Sequence, residues 1–310
     1  MSSRNIATSK ETGQGGYVSG SRLSPRRIHV TFGGSIHAEL VKLLSLKSSY
    51  ILLIINAALI PLGTLLVAWS TKLVNSIDEQ GNILSTTKPI EMANLWISVG
   101  AFVSTAVLAA GILAIMSLTS EFGNMSIQSS LTANPRRGML MAAKAIAISV
   151  LTAFSTLLGV LLAWGVAHIF FLGVTLTPLP NSQRFVPLII ILGAPVASAL
   201  IAVMALGIAG ICRSTVGAVF TFIAFMMIVP QILAVIAQLG NGFHWIGTVT
   251  AALPNSLMDG AVGAGIGTSL PTSSSNAFDP NWWQSLLLLA VWSAASYVLG
   301  TLFVKHRDIN

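Results

Sequence analysis

The chain has 310 residues, of which 54% are hydrophobic and only 8% charged. Soluble domains carry charges on about a quarter of their residues, so a water-soluble fold is excluded and an all-α polytopic membrane protein is expected. The formal net charge of +7 then reads as basic loops on one side of a bilayer, with no nucleic-acid partner.

Residues 1–27 are mostly Ser, Gly, Arg and Lys with few large apolar side chains, the composition of a disordered tail. They lack the charged, apolar and small-residue succession of a cleaved signal, so this segment is expected to stay on the protein. From residue 28 to residue 50 the pattern changes. Ile36, Leu40, Leu43 and Leu44 recur at helical spacing, with His37, Glu39, Lys42 and Lys47 expected largely on other faces. A short basic amphipathic helix of this kind lies along the inner membrane surface.

Six apolar runs follow, at 51–70, 95–118, 145–172, 186–211, 216–239 and 285–304. Each approaches the roughly 20 residues needed to cross the hydrocarbon. Pro61, Pro187, Pro195 and Pro230 fall in or at these runs and are kink candidates. With the N-terminus inside, the inner segments hold Arg4, Lys10, Arg22, Arg26, Arg27, Lys42, Lys47, Arg136, Arg137, Lys144, Arg213, Lys305 and Arg307. That is thirteen basic residues against three outside, Lys72, Lys88 and Arg184. The asymmetry places both termini in the cytoplasm, and Trp69, Trp96, Trp282 and Trp283 then fall at outer interfaces.

Between the second and third runs lies the polar stretch from Thr119 to Lys144. Residues 124–133 have room for a short helix, with Ile127 and Leu131 one turn apart as a small apolar face. Pro135 disfavours helix at Asn134 and ends it. Glu121 precedes this helix and Arg136 and Arg137 follow it, each on the side that the helix dipole favours. The stretch is longer than a connection between two spans requires, so it is expected to dock a cytoplasmic partner.

Other chemistry is sparse. No G-x-x-x-x-G-K-[ST] loop occurs, and the small-residue run from Gly260 to Thr268 lacks the lysine, so no nucleotide site and no enzymatic activity are expected. His168, among Trp164, Phe170 and Phe171, reads as a packing histidine, and His244 beside Trp245 as interfacial. No metal-ligand spacing is present. Cys212 is the one cysteine; it can form no disulfide within the chain and is assigned no role. None of the six runs contains Asp or Glu, which weakens an ion-coupled secondary transporter as the alternative reading; a non-transporting membrane assembly factor is a second alternative.

Residues 240–284 are longer than two neighbouring spans need, with apolar side chains at Trp245, Val249, Leu253, Leu257 and Val262. Val249, Leu253 and Leu257 recur every fourth residue, and Pro254 interrupts them, so two short helices joined by a bend are expected to fold back as an outer lid. Asp259 is expected to face water or a partner.

Glu121, Leu131, Pro135, Arg136 and Lys144 together resemble the E…L…P-R…A-K pattern of permease subunits of type-two ATP-binding-cassette (ABC) exporters. The run HAELVKLLSLKSSY is similar to that family's leading elbow helix, with Glu39 and Lys42 at its acidic-then-basic pair. The closing VKHRDIN, the short Cys212–Gly217 connection and L-P-N-S at 253–256 resemble further family features in the same order. The resemblance implies a separate ABC ATPase subunit that holds ATP and Mg, with the cytoplasmic helix (Glu121, Ile127, Leu131, Pro135, Arg136, Arg137) fitted into its groove. It also implies a second permease copy or a sister permease, a prokaryotic plasma (inner) membrane, and no cofactor on this chain. With no charged group in the runs to bind a polar solute, the expected cargo is amphipathic or hydrophobic: a lipid, drug or peptide.

Overall fold

The computed structural model describes residues 31–77, 82, 89–123, 137–237, 244–263, 278 and 280–306. The protein is an all-α polytopic membrane protein with, among the described residues, six helices long and apolar enough to cross a bilayer. The chain begins with α1 (Phe32–Ser45), capped by the Thr31 hydroxyl, which accepts from Gly34 N–H at 3.2 Å. Leu46 takes an extended backbone, so the chain turns there and re-enters helix at once. The first span is α2 (Lys47–Asn75). The second is made of α3 (Met92–Gly100) and α4 (Val103–Gly123), the third is α5 (Arg137–Phe170), and the fourth is α6 (Val186–Cys212). The fifth runs through α7 (Thr215–Ile223), a π turn (Ala224–Ile228) and α8 (Val229–Ala237). Then come α9 (His244–Ala251) and α10 (Pro254–Gly263), and α11 (Trp282–His306) forms the sixth span.

All six expected spans are present, and most extend beyond the apolar runs that mark them. The second reaches Phe122 and the third starts at Gly138, so the polar ends of the central stretch are helical. Glu121 therefore sits in the last turn of span two, and Lys144 two turns into span three. Of the proline candidates, Pro187 lies in the first turn of α6, where it costs no hydrogen bond. Pro61 and Pro195 are inside helices. Pro230 follows the π turn, in which the Val229 N–H reaches back five residues to the Ala224 carbonyl. That wider turn lets the helix pass the proline, whose ring would clash in regular α geometry.

The core is centred on α6, whose buried face includes Ala194, Ala197, Ile201, Ala205 and Ala209. Small residues let backbones meet there. A Cβ on Gly300 of α11 would overlap the Gly207 backbone of α6, so both positions must be glycine at this crossing. Gly159 of α5 similarly faces the Ala57 backbone of α2, where an added Cβ would lie 2.9 Å from the carbonyl oxygen. A Cβ on Gly217 would meet only its own cap residue, Ser214, among the described residues. Inside the bundle the buried Asn56 donates to the Ser155 and Thr156 hydroxyls at 3.0 Å each, and Thr156 donates to Ser198 at 2.8 Å. These bonds fasten spans one, three and four together where no water competes.

A two-residue parallel pairing joins Ile90–Glu91 (β1) to Leu176–Thr177 (β2). It is the whole of the sheet among the described residues.

Candidate functional site

Four charged side chains meet where α1 crosses the ends of spans two and three. Lys144 is 1% exposed, and its ammonium donates to Glu39 Oε2 at 2.6 Å, Glu121 Oε1 at 2.8 Å and the Ser117 carbonyl at 3.2 Å. All three of its N–H bonds are thereby used. Lys42 pairs with the same Glu121 Oε1 from the other side. Two lysines and two glutamates sum to zero charge, which allows three of the four to be buried. Lys42 alone is substantially exposed, its side chain at 39%. Glu121 Oε2 is buried with no partner among the described residues.

This arrangement corrects the helix wheel read from the sequence. Glu39 and Leu43 are buried and Leu44 is 40% exposed, so the inward stripe of α1 is Ile36, Glu39, Leu40 and Leu43, with a carboxylate at its centre. The reason lies across the interface, because a buried ammonium on α5 requires an anion opposite it. Glu121 is likewise not the free N-terminal residue of a docking helix; its carboxylate is held by two lysines inside the bundle. The expectation of no acid within the spans fails at this one position, since α4 continues past Glu121.

Nearby contacts bring further basic residues to the same end. The Arg213 guanidinium donates to the Phe303 carbonyl at 3.1 Å, and Arg213 itself takes a left-handed backbone (φ 54°) that closes α6. Thr215 donates to Thr119 at 2.8 Å, tying the start of span five to the end of span two. A Cβ on Gly138 would lie 3.4 Å from the Lys305 ammonium, so the start of α5 adjoins the end of α11. Lys42, Lys144, Arg213 and Lys305 thus share one end of the bundle. The docking residues Ile127, Leu131, Pro135 and Arg136 lie outside the described residues, and Arg137 is the first residue of α5.

Beyond the far ends of α9 and α10 the picture changes. The two short helices expected around Pro254 are present, and the bend between them is tied to span six by Trp292, whose indole donates to the Ala252 carbonyl at 2.9 Å. Leu253, Pro254 and Leu257 are buried, while Val249 is 41% exposed. The every-fourth-residue stripe therefore does not form one face, because the break before Pro254 rotates α9 away from α10. Trp96 is also buried, against the expected interfacial position. His168 is exposed and stacks on Trp164, with ring centroids 5.8 Å apart.

Asp259 of α10 does not lie in open water, and it meets no cation among the described residues. It is half-buried, accepts a hydrogen bond from Ser104 of α4, and lines a cleft of about 560 Å³ between spans two and five. Burial lifts its carboxyl above the ordinary value, and the Ser104 bond opposes that lift. Nothing in the sequence pattern reveals this pairing, since 155 residues separate the partners. Among the described residues no group of His, Cys, Asp and Glu is arranged to hold a metal ion. Comparison of the sequence with known protein families and with curated proteins returns no match.

Proposed function

We propose that this chain is the membrane-spanning permease subunit of an ATP-driven exporter whose ATPase is a separate ABC subunit. The observation that carries this reading is the neutral quartet of Glu39, Lys42, Glu121 and Lys144. It locks the amphipathic helix to both spans that flank the central polar stretch. Force delivered to residues 124–136 by a partner would pass into α4, α5 and α1 together, because a buried ion network has no low-energy partly broken state. A solvated loop with no partner has no need of such a brace.

In this reading the basic end faces the cytoplasm of a prokaryotic cell, as the thirteen-to-three distribution of Lys and Arg favours. ATP and Mg belong to the partner, and this chain performs no hydrolysis. Two permeases, identical or sister copies, enclose the pathway, in keeping with the apolar residues packed around α6 in the single bundle. The cargo is amphipathic or hydrophobic.

The ion-coupled secondary transporter draws support from Asp259, an ionisable group in a cleft. One experiment separates the two readings. The tagged chain is purified from its native membrane and retained proteins are assayed for ATP hydrolysis, in the wild type and in Leu131→Asp. The exporter reading expects a co-purifying ATPase that Leu131→Asp releases, because a charge forced onto a small apolar docking face costs on the order of 2 kcal/mol. Absence of any ATPase from the wild type, or undiminished yield with Leu131→Asp, overturns it.

A further inference from the structure

The cleft at Asp259 has a composition that selects a ligand class. Its walls come from span two (α3 and α4), α6, span five (the π turn and α8) and α10. Trp96, Leu108 and Met227 give it apolar surface, and Asn255 and Gln231 give neutral hydrogen-bonding groups. Asp259 is the one charged residue among the described residues that line it. No described lysine, arginine or histidine forms an ion pair with that carboxylate. Ser104 occupies one oxygen, Oδ1, and the other has no protein partner among the described residues and is not sealed from the cleft.

Every other described acid that is buried in this protein, Glu39 and Glu121, is neutralised by lysine. A carboxylate left without a counter-ion in a half-buried cleft is at its least stable when empty, because charge out of water must be paired. The cleft volume is in the range of small-molecule sites, about 300–1,000 Å³, and too large for a bare metal ion. An indole in the wall adds attraction for an organic cation. The π turn that shapes the span-five wall is the kind of irregularity that recurs at binding sites.

We propose that this cleft binds a monovalent organic cation with a bulky apolar body, its charge placed against Asp259 and its apolar groups against Trp96, Leu108 and Met227. The site lies well away from the ion quartet: Ser104 and Glu121 are 17 residues apart on one helix, or about 26 Å at 1.5 Å per residue. The inference rests on the exporter reading only for the fate of the ligand, which that reading makes a cargo. Binding itself requires no ATPase.

The test uses the full chain in nanodiscs of neutral phosphatidylcholine, with empty nanodiscs subtracted. Tetraphenylphosphonium and its uncharged relative triphenylphosphine oxide are measured by equilibrium dialysis. Asp259→Asn is expected to weaken the cation by at least about tenfold and to leave the neutral compound unchanged, while Asp259→Glu retains the cation within a few-fold. Equal binding of the cation by wild type and Asp259→Asn overturns the proposal, as does parallel loss of both compounds. A second route does not depend on the aspartate variants folding. Thr105 is exposed on the cleft wall, so Thr105→Cys on a Cys212→Ser background, blocked with a bulky maleimide, is expected to abolish cation binding. Undiminished binding after complete labelling places the cation elsewhere and refutes the assignment. Failure here with an ATPase still co-purifying removes the ligand class alone; the reverse result leaves a cation site on a protein that is not an ABC permease.

Discussion

Replacing Lys144 with methionine removes the one fully buried cation of the quartet and keeps the volume of its stem. Before the change two lysines balance two glutamates, and afterwards Lys42 remains, paired with Glu121, while Glu39 loses its lysine partner. Lys42 is itself partly in water, with its side chain 39% exposed, so its attraction is screened and cannot replace the lost partner. Glu39 and Glu121, at 6% and 1% exposure, are left with one net negative charge between them. Stripping one partner from a buried ion pair typically costs about 3–5 kcal/mol, and the loss of both short bonds from one ammonium puts Lys144→Met in that range. An apparent melting temperature lower by roughly 5 °C or more is the global readout. The local readout is specific to α1: a cysteine at Leu43, buried in the wild type, should become reactive to a membrane-impermeant maleimide in Lys144→Met. Adding Glu121→Gln and Glu39→Gln, so that no buried carboxylate is orphaned, should recover much of the loss. If Lys144→Met leaves both the melting temperature and the protection of position 43 unchanged, the quartet does not hold α1 and the mechanical role assigned to it fails.

Two further expectations follow from other contacts. Gly300→Leu forces a side chain into the Gly207 backbone and should separate spans four and six, seen as loss of monodisperse protein in detergent; Gly217→Ala, whose added methyl meets only Ser214 at 3.7 Å, should be well tolerated. Asp259 has a carboxyl raised in the folded state, so above its ordinary value of 3.8 the fold holds more protons than the unfolded chain. The sign is therefore a loss of stability as pH rises through that window, and no other titratable group lines the cleft among the described residues. Asp259→Asn should flatten this part of the profile of melting temperature against pH and raise stability near neutrality; an identical profile in both proteins would show that Asp259 is not buried as described.

The six spans were legible because length and apolarity alone decide them. A segment of some 20 residues without charge has nowhere else to go, and its helicity follows from the need to satisfy backbone groups in lipid. The bend before Pro254 was legible for an equally local reason, a ring that cannot sit in a helix interior. What the sequence could not decide was which charges are buried. Glu39 occupies the second place in the stripe Ile36, Glu39, Leu40, Leu43, and Lys144 interrupts an apolar run; each looks like a tolerated surface charge when its own helix is considered alone. The tertiary structure reverses that reading by bringing Glu39 and Lys144, 105 residues apart, to 2.6 Å. Helix periodicity describes the apolar face of one element, whereas the burial of a charge depends on the charge that another element places opposite it. The same limit hid the cleft. Asp259, Ser104, Met227 and Trp96 lie on separate elements, and only their packing makes one ionisable group the centre of a shared surface.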